Sequence, residues 1–164
     1  MKKFTILLAT LIGSNVSATT LHFSPEIRIG PYLGSGISGG GAQLGLTDVL
    51  GMDAVYVSYS HTSSEFLNID KDRIKTYRVG VQHNIPSFPA VGFQAELGGL
   101  KYEGERDWWA GQESISSTGV SSTVSAVYNF NDHLGVRMGM DINYIPDMAS
   151  EISSMFSTGV ILRF

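Results

Sequence analysis

Eight short stretches of this chain alternate apolar and polar residues with a period of two, which limits the fold more than any other feature. A strand turns successive side chains to opposite faces, so each stretch offers one apolar and one polar face. The stretches cover residues 26–33, 39–46, 52–61, 73–84, 91–102, 118–130, 134–144 and 154–164. The seventh is the most regular, with Leu134, Val136, Met138, Met140, Ile142 and Tyr144 set against Gly135, Arg137, Gly139, Asp141 and Asn143. Past residue 18 nothing keeps a helical period over three turns. An even set of sequential strands suits an all-β, eight-stranded antiparallel up-and-down barrel, because closure removes unpaired edges.

The connections differ by rim. Residues 47–51, 85–90 and 131–132 read as turns or short links, and 62–72 and 103–117 as longer polar loops. Residues 34–38 and 145–153 are intermediate. Short turns at one end and longer loops at the other are the pattern of a transmembrane barrel.

Alternation alone does not say which face points outward. The polar faces hold Gly41, Gly45, Gly80, Gly92, Gly98, Gly119, Gly135, Gly139 and Gly159. Glycine weakens a strand, and a solvated outer face has no use for it. Inside a narrow barrel it makes room for long neighbours. Arg28, Arg78, Glu96, Arg137 and Asp141 are therefore expected inside, as a polar lumen network with Glu96 and Asp141 accepting from the arginines. On the apolar faces Phe93, Tyr128, Phe130 and Phe164 fall toward the short-turn rim, and Tyr59, Tyr77, Tyr144 and Phe156 toward the other. Two aromatic belts around an aliphatic band predict a bilayer crossing.

The first residues agree. Lys2 and Lys3 precede an apolar run from Phe4 to Ile12, and Val16-Ser17-Ala18 reads as a cleavage site. The run is too short for a helix across a bilayer, which needs about 20 residues. Residues 1–18 are thus expected to be a signal peptide and 19–164 the barrel, exported through the periplasm to the outer membrane of a Gram-negative bacterium. Losing the leader moves the formal net charge from −4 to −6, which argues against a nucleic-acid partner. The chain has no cysteine, hence no disulfide or thiolate metal site.

With these features in place, the chain resembles the small eight-stranded outer-membrane barrels: the outer membrane protein A transmembrane domain, the opacity proteins and the adhesion/invasion barrels. The pieces that carry the resemblance are residues 127–137, a strand, tight turn and strand, and the terminal alternation ending in Phe164. The resemblance implies that Phe156, Val160, Leu162 and Phe164 form the signal read by the barrel-assembly machinery. It also implies outer-membrane lipids around a monomer, with rim loops available to a surface ligand. The loops are shorter than those of many adhesion members, and nothing after Phe164 suggests a cell-wall anchor.

Other chemistry is thin. Residues 34–39 match G-x-G-x-x-G, but a strand follows where a dinucleotide site needs a helix. His61, Ser63 and Glu65 have the types of a base, nucleophile and orienter at the outer-leaflet end of a strand, where a lipid A deacylase would act. Alternate residues on one strand are poorly placed for direct hydrogen bonds. Trp108 and Trp109, in the longest loop, are candidates for recognition. His22, His83 and His133 are scattered, so no metal or other cofactor is expected. The reading is a non-enzymatic barrel with a plugged polar lumen and no open conductance, acting in surface contact or envelope integrity. The alternatives are the lipid A deacylase and a binder or conduit for small hydrophobic molecules.

Overall fold

The computed structural model describes residues 19–30, 36–66, 70–108, 111–146 and 151–164, with the side chains of 65, 66, 70, 106–108 and 111–113 left aside. Eight strands run in order: β1 (Leu21–Ile29), β2 (Ile37–Val49), β3 (Met52–Phe66), β4 (Asp70–Ile85), β5 (Phe88–Trp108), β6 (Gly111–Asn129), β7 (Leu134–Tyr144) and β8 (Ile152–Arg163). Each pairs with its neighbour and β8 returns to β1, which closes the barrel. All the pairings are antiparallel. At the seam Leu21 and Phe164 exchange backbone hydrogen bonds of 2.9 and 3.1 Å.

The apolar residues stand on the outside. Met138 is 71% exposed, Leu97 65% and Val124 61%. The aromatics Tyr59, Tyr77, Tyr144, Phe156, Phe93, Tyr128, Phe130 and Phe164 share this outward face. Polar side chains fill the inside, among them Gln43, Gln82, Gln94, Thr123 and Asn143. No helix among the described residues is long and apolar enough to cross a membrane. The surface that would meet lipid is instead this outer wall.

Several boundaries differ from the sequence expectation. β1 begins at Leu21 rather than at residue 26. Pro25 hides this start, because proline cannot donate to a ladder. Pairing with β2 continues through Pro25, while the β8 ladder passes from Phe23↔Leu162 to Glu26↔Gly159. Residues 31–35 lie outside the described residues, and with them Tyr32, Leu33 and the first glycine of the G-x-G-x-x-G match. After Gly36 comes strand β2. In the expected long loops at 62–72 and 103–117, residues 62–66, 70–72, 103–108 and 111–117 are strand instead. β3 and β4 stay paired to Phe66↔Asp70, and β5 and β6 to Trp108↔Gly111. The physical reason is a change in which face is apolar. Within the membrane band the apolar residues point out, whereas above it Ile74, Leu100 and Tyr102 point in and are buried.

The barrel is lopsided in consequence. β1, β7 and β8 have 9, 11 and 12 residues, while β3 to β6 have 15, 16, 21 and 19. A tall wall of four strands rises over a short one. On the other rim the turns are tight. Leu50 and Gly51 link β2 to β3 with φ of 58° and 75°, the pair of positive φ values that a two-residue hairpin loop prefers.

Candidate functional site

Inside the barrel, six charged side chains from four strands form one alternating chain. Arg137 on β7 pairs with Glu26 on β1. The other oxygen of Glu26 lies 2.8 Å from Arg28 Nε, and Arg28 Nη1 lies 2.7 Å from Asp141 Oδ2 on β7. Asp141 Oδ1 accepts from Arg78 Nη1 on β4 at 3.1 Å, and Arg78 Nε lies 2.9 Å from Glu96 Oε2 on β5. Every one of these side chains is at most 1% exposed. Three guanidinium groups and three carboxylates alternate, so the formal charge of the chain of pairs is zero.

Hydroxyl and amide groups take up further lone pairs. Ser58 Oγ donates to Glu96 Oε2 at 2.6 Å and Gln43 Nε2 to Glu96 Oε1 at 2.5 Å. Thr123 donates to Asp141, and Arg137 Nε donates to Ser24 Oγ at 3.0 Å. Toward the short-turn rim follows an amide layer, in which Gln94 Nε2 donates to Gln82 Oε1 at 3.0 Å and Gln43 Nε2 to Gln94 Oε1 at 3.2 Å. The His22 ring stacks on Tyr56 with centroids 5.2 Å apart. Buried charges are stable only when paired and hydrogen-bonded. Each of the six groups here is paired and has at least one hydrogen bond, while Arg28 Nη1 and Nη2, Arg78 Nη2, Arg137 Nη1 and Asp141 Oδ2 have no hydrogen-bond partner among the described residues.

Glycine makes the space. A Cβ at Gly80 would stand 2.5 Å from Tyr56 Cε2 and 2.8 Å from Glu96 Cγ. One at Gly159 would stand 3.1 Å from Arg137 Nε. The loss of side chain at these positions admits a ring, a carboxylate and a guanidinium on neighbouring strands.

Apolar groups flank the charged layer. Toward the tall rim Ile74, Leu100, Tyr102, Ile145 and Met155 pack together from β4, β5, β8 and the segment after β7, with Ile115 against them. Tyr102 donates its hydroxyl to Asp72 Oδ1 at 2.6 Å. Nearer the short-turn rim Ala54, Val127 and Ile161 are buried.

An outward apolar band, a charged interior and closure without a free edge can coexist only where the surroundings are apolar. The fold is that of a small transmembrane barrel. Solved structures agree. The N-terminal β-barrel domain of Pseudomonas aeruginosa OprF matches with a TM-score of 0.62 at 12% identity, over 88% of this chain and 97% of that one. Ail, the attachment invasion locus protein of Yersinia pestis, matches with a TM-score of 0.58 at 13% identity, over 89% and 97%. A major outer membrane protein from Thermus thermophilus gives 0.60 at 14% identity, over 88% and 99%. At these identities the shared property is the fold. No family model matches the chain, and no curated protein matches it in sequence.

The structure brings together Arg28, Arg78, Glu96, Arg137 and Asp141, and adds Glu26, which pairs with two of the arginines. Its signal in the sequence was its position two residues before Arg28 on the same face of one strand. Phe156, Val160, Leu162 and Phe164 lie along the outward side of the last strand and its end. β5 ends at Trp108, but its side chain and all of Trp109 lie outside the described residues. His61 and Ser63 face outward on β3 with no hydrogen bond between them, and the Glu65 side chain is outside the described set. His22, His83 and His133 are apart, and no metal-holding cluster occurs among the described residues. His83 Nδ1 lies 3.2 Å from Asp53 Oδ2 beside an open groove of about 400 Å³ at the short-turn rim.

Proposed function

We propose that the chain is a non-enzymatic outer-membrane barrel whose lumen is plugged and whose tall wall serves surface contact or envelope integrity. The observation that carries this reading is the chain of six buried charges crossing the lumen, with packed apolar side chains above it. Eight strands leave an interior just wide enough for side chains, and here side chains from opposite walls meet. A path for ions would have to break several charge-assisted hydrogen bonds at once. A binder of small hydrophobic molecules would need an apolar pocket where this barrel has arginines and carboxylates.

The tall wall supports the surface role. Its upper part is more strand than a bilayer needs, and stiff ribbons present recognition groups at low entropic cost. Ail, which shares the fold, is an attachment invasion locus protein; a comparable role fits the projecting ribbons, with Trp108 at the end of β5 and its sequence neighbour Trp109 as recognition candidates. Residues 1–18 fit a signal peptide for export to the periplasm. The outward residues Phe156, Val160, Leu162 and Phe164 fit an assembly signal for the barrel-assembly machinery. The deacylase alternative is disfavoured by the missing bond between His61 and Ser63.

Two experiments test this. Purified protein in a planar bilayer should give no steady single-channel current; a steady current would refute the plug. Cells displaying the full chain should lose surface binding or detergent resistance when Glu105–Ser114 is replaced by a short turn. Unchanged values for both would refute the role of the tall wall, and altered lipid A mass spectra on expression would restore the enzyme alternative.

A further inference from the structure

The outward lysines and arginines among the described side chains sit on β4 and β5 alone. The outward faces of β1, β7 and β8 carry none, in a protein whose net charge is negative. Strand register fixes how these cations are arranged. Tyr59 pairs with Tyr77 and Tyr77 with Gly99, and the two tyrosine rings lie 5.2 Å apart in the upper aromatic belt. Two residues further up, His61 pairs with Lys75, Lys75 with Lys101, and Lys101 with Thr118. That step is about 7 Å along a strand. The ammonium groups therefore stand one row above the aromatic belt, where headgroups begin.

The row is electrostatically unbalanced. Lys75 and Lys101 are directly opposite each other, and like charges in that position destabilise a sheet. Lys101 Nζ lies 2.7 Å from Glu103 Oε1, and Lys75, which makes no ion pair among the described residues, acts on the same carboxylate from further away, so two ammonium groups share one anion. His61 Nδ1 is buried without a hydrogen-bond partner among them. Next to the row, Gly99 has only one atom within 4 Å of a Cβ position, Gly119 O at 3.9 Å, so the outward surface beside Tyr77 is open.

We propose that the row His61, Lys75 and Lys101 binds the phosphate of an anionic lipid headgroup in the leaflet at the tall rim. A phosphate between the two ammonium groups turns their repulsion into two charge-assisted hydrogen bonds. The acyl chains then descend past Tyr59 and Tyr77 along the aliphatic band. The charge complementarity is one-sided, so the barrel holds this lipid on one flank. The inference rests on the transmembrane reading and adds the position and chemistry of a lipid site to it.

The test is native mass spectrometry of the full chain released from nanodiscs of phosphatidylcholine with a minor fraction of lipid A. K75Q/K101Q should retain about thirtyfold less lipid A than the unaltered protein, since each of the two basic residues near a headgroup contributes on the order of 1 kcal/mol. Phosphatidylcholine retention should not change, and K75R/K101R should retain lipid A as before. Equal lipid A retention by K75Q/K101Q would overturn the site. Retention of inorganic phosphate through Lys75 and Lys101 with no retention of lipid A would also overturn it, by showing a site for the free anion. Insertion is read separately by the mobility shift on boiling, so failure of the barrel itself is distinguishable from failure of the lipid site.

Discussion

The short wall and the tall wall of this barrel obey different constraints. β1, β7 and β8 have 9, 11 and 12 residues, close to the roughly 9–11 that a tilted strand needs to cross the hydrocarbon. Their outward residues are almost all apolar. β5 and β6, at 21 and 19 residues, exceed that need nearly twofold. In their upper halves the outward positions become Lys101, Glu103, Ser114 and Ser116, and the apolar residues move inside. The short wall is what the lipid requires. The added height reflects a second environment, water, acting on the same strands.

The largest way to break the comparison is to cut the network that joins the walls. Asp141 on the short wall holds Arg28 and, across the lumen, Arg78 on the tall wall. Asp141→Ala leaves two buried guanidiniums short of a carboxylate and should cost about 3–5 kcal/mol in urea unfolding from lipid vesicles. Asp141→Glu should restore part of it. Next is the contrast in outer faces. Met138→Arg, at a lipid-facing position of β7, should cost about 2–4 kcal/mol, while Ser116→Arg on the upper β6 should cost almost nothing in the same assay. Equal costs would mean that both positions meet the same solvent.

Gly80→Val drives a side chain into Tyr56 and Glu96 and should cost about 1–3 kcal/mol by overpacking. The mobility shift on boiling should remain, at a lower unfolding temperature. The smallest effect belongs to the exposed rim. Its hydrogen bond to Lys101, then the ammonium charge itself, holds the Glu103 carboxyl below its usual range. A depressed carboxylate contributes stability above its unfolded value and loses it as pH falls through the folded one. Mild acid should therefore lower the unfolding temperature slightly, and Glu103→Gln should remove that part of the dependence.

The same contrast explains what could be read in advance. β7 was legible to the residue, because all of it lies in one environment and its apolar parity never changes. The upper tall wall looked like loop because parity changes near Leu100. Phe93, Ala95 and Leu97 face out, but Leu100 and Tyr102 face in. A search for a constant apolar face stops there, although the strand continues. Pro25 masked the start of β1 by a different route, the missing donor. In the lumen the arginines were legible from Gly-rich polar faces. Their partners were less so, because pairing across a closed barrel depends on which strands face each other. Glu26 was available at the same parity as Arg28, yet its bond to Arg137 depends on the β8–β1 closure, which puts β7 one strand away, across Gly159 of β8.

The claim beneath all of this is that the apolar face meets lipid and the charged face fills the lumen. The chain lacks cysteine, so single thiols report without interference. Val124 and Ser125 are adjacent on β6, 61% and 1% exposed respectively. Val124→Cys and Ser125→Cys should be treated with a bimane reagent in vesicles holding nitroxide-labelled lipid. The account predicts that the thiol at 124 labels and is quenched strongly by the lipid nitroxide, while the one at 125 stays unlabelled until the barrel is unfolded. Quenching at 125, or none at 124, would contradict it.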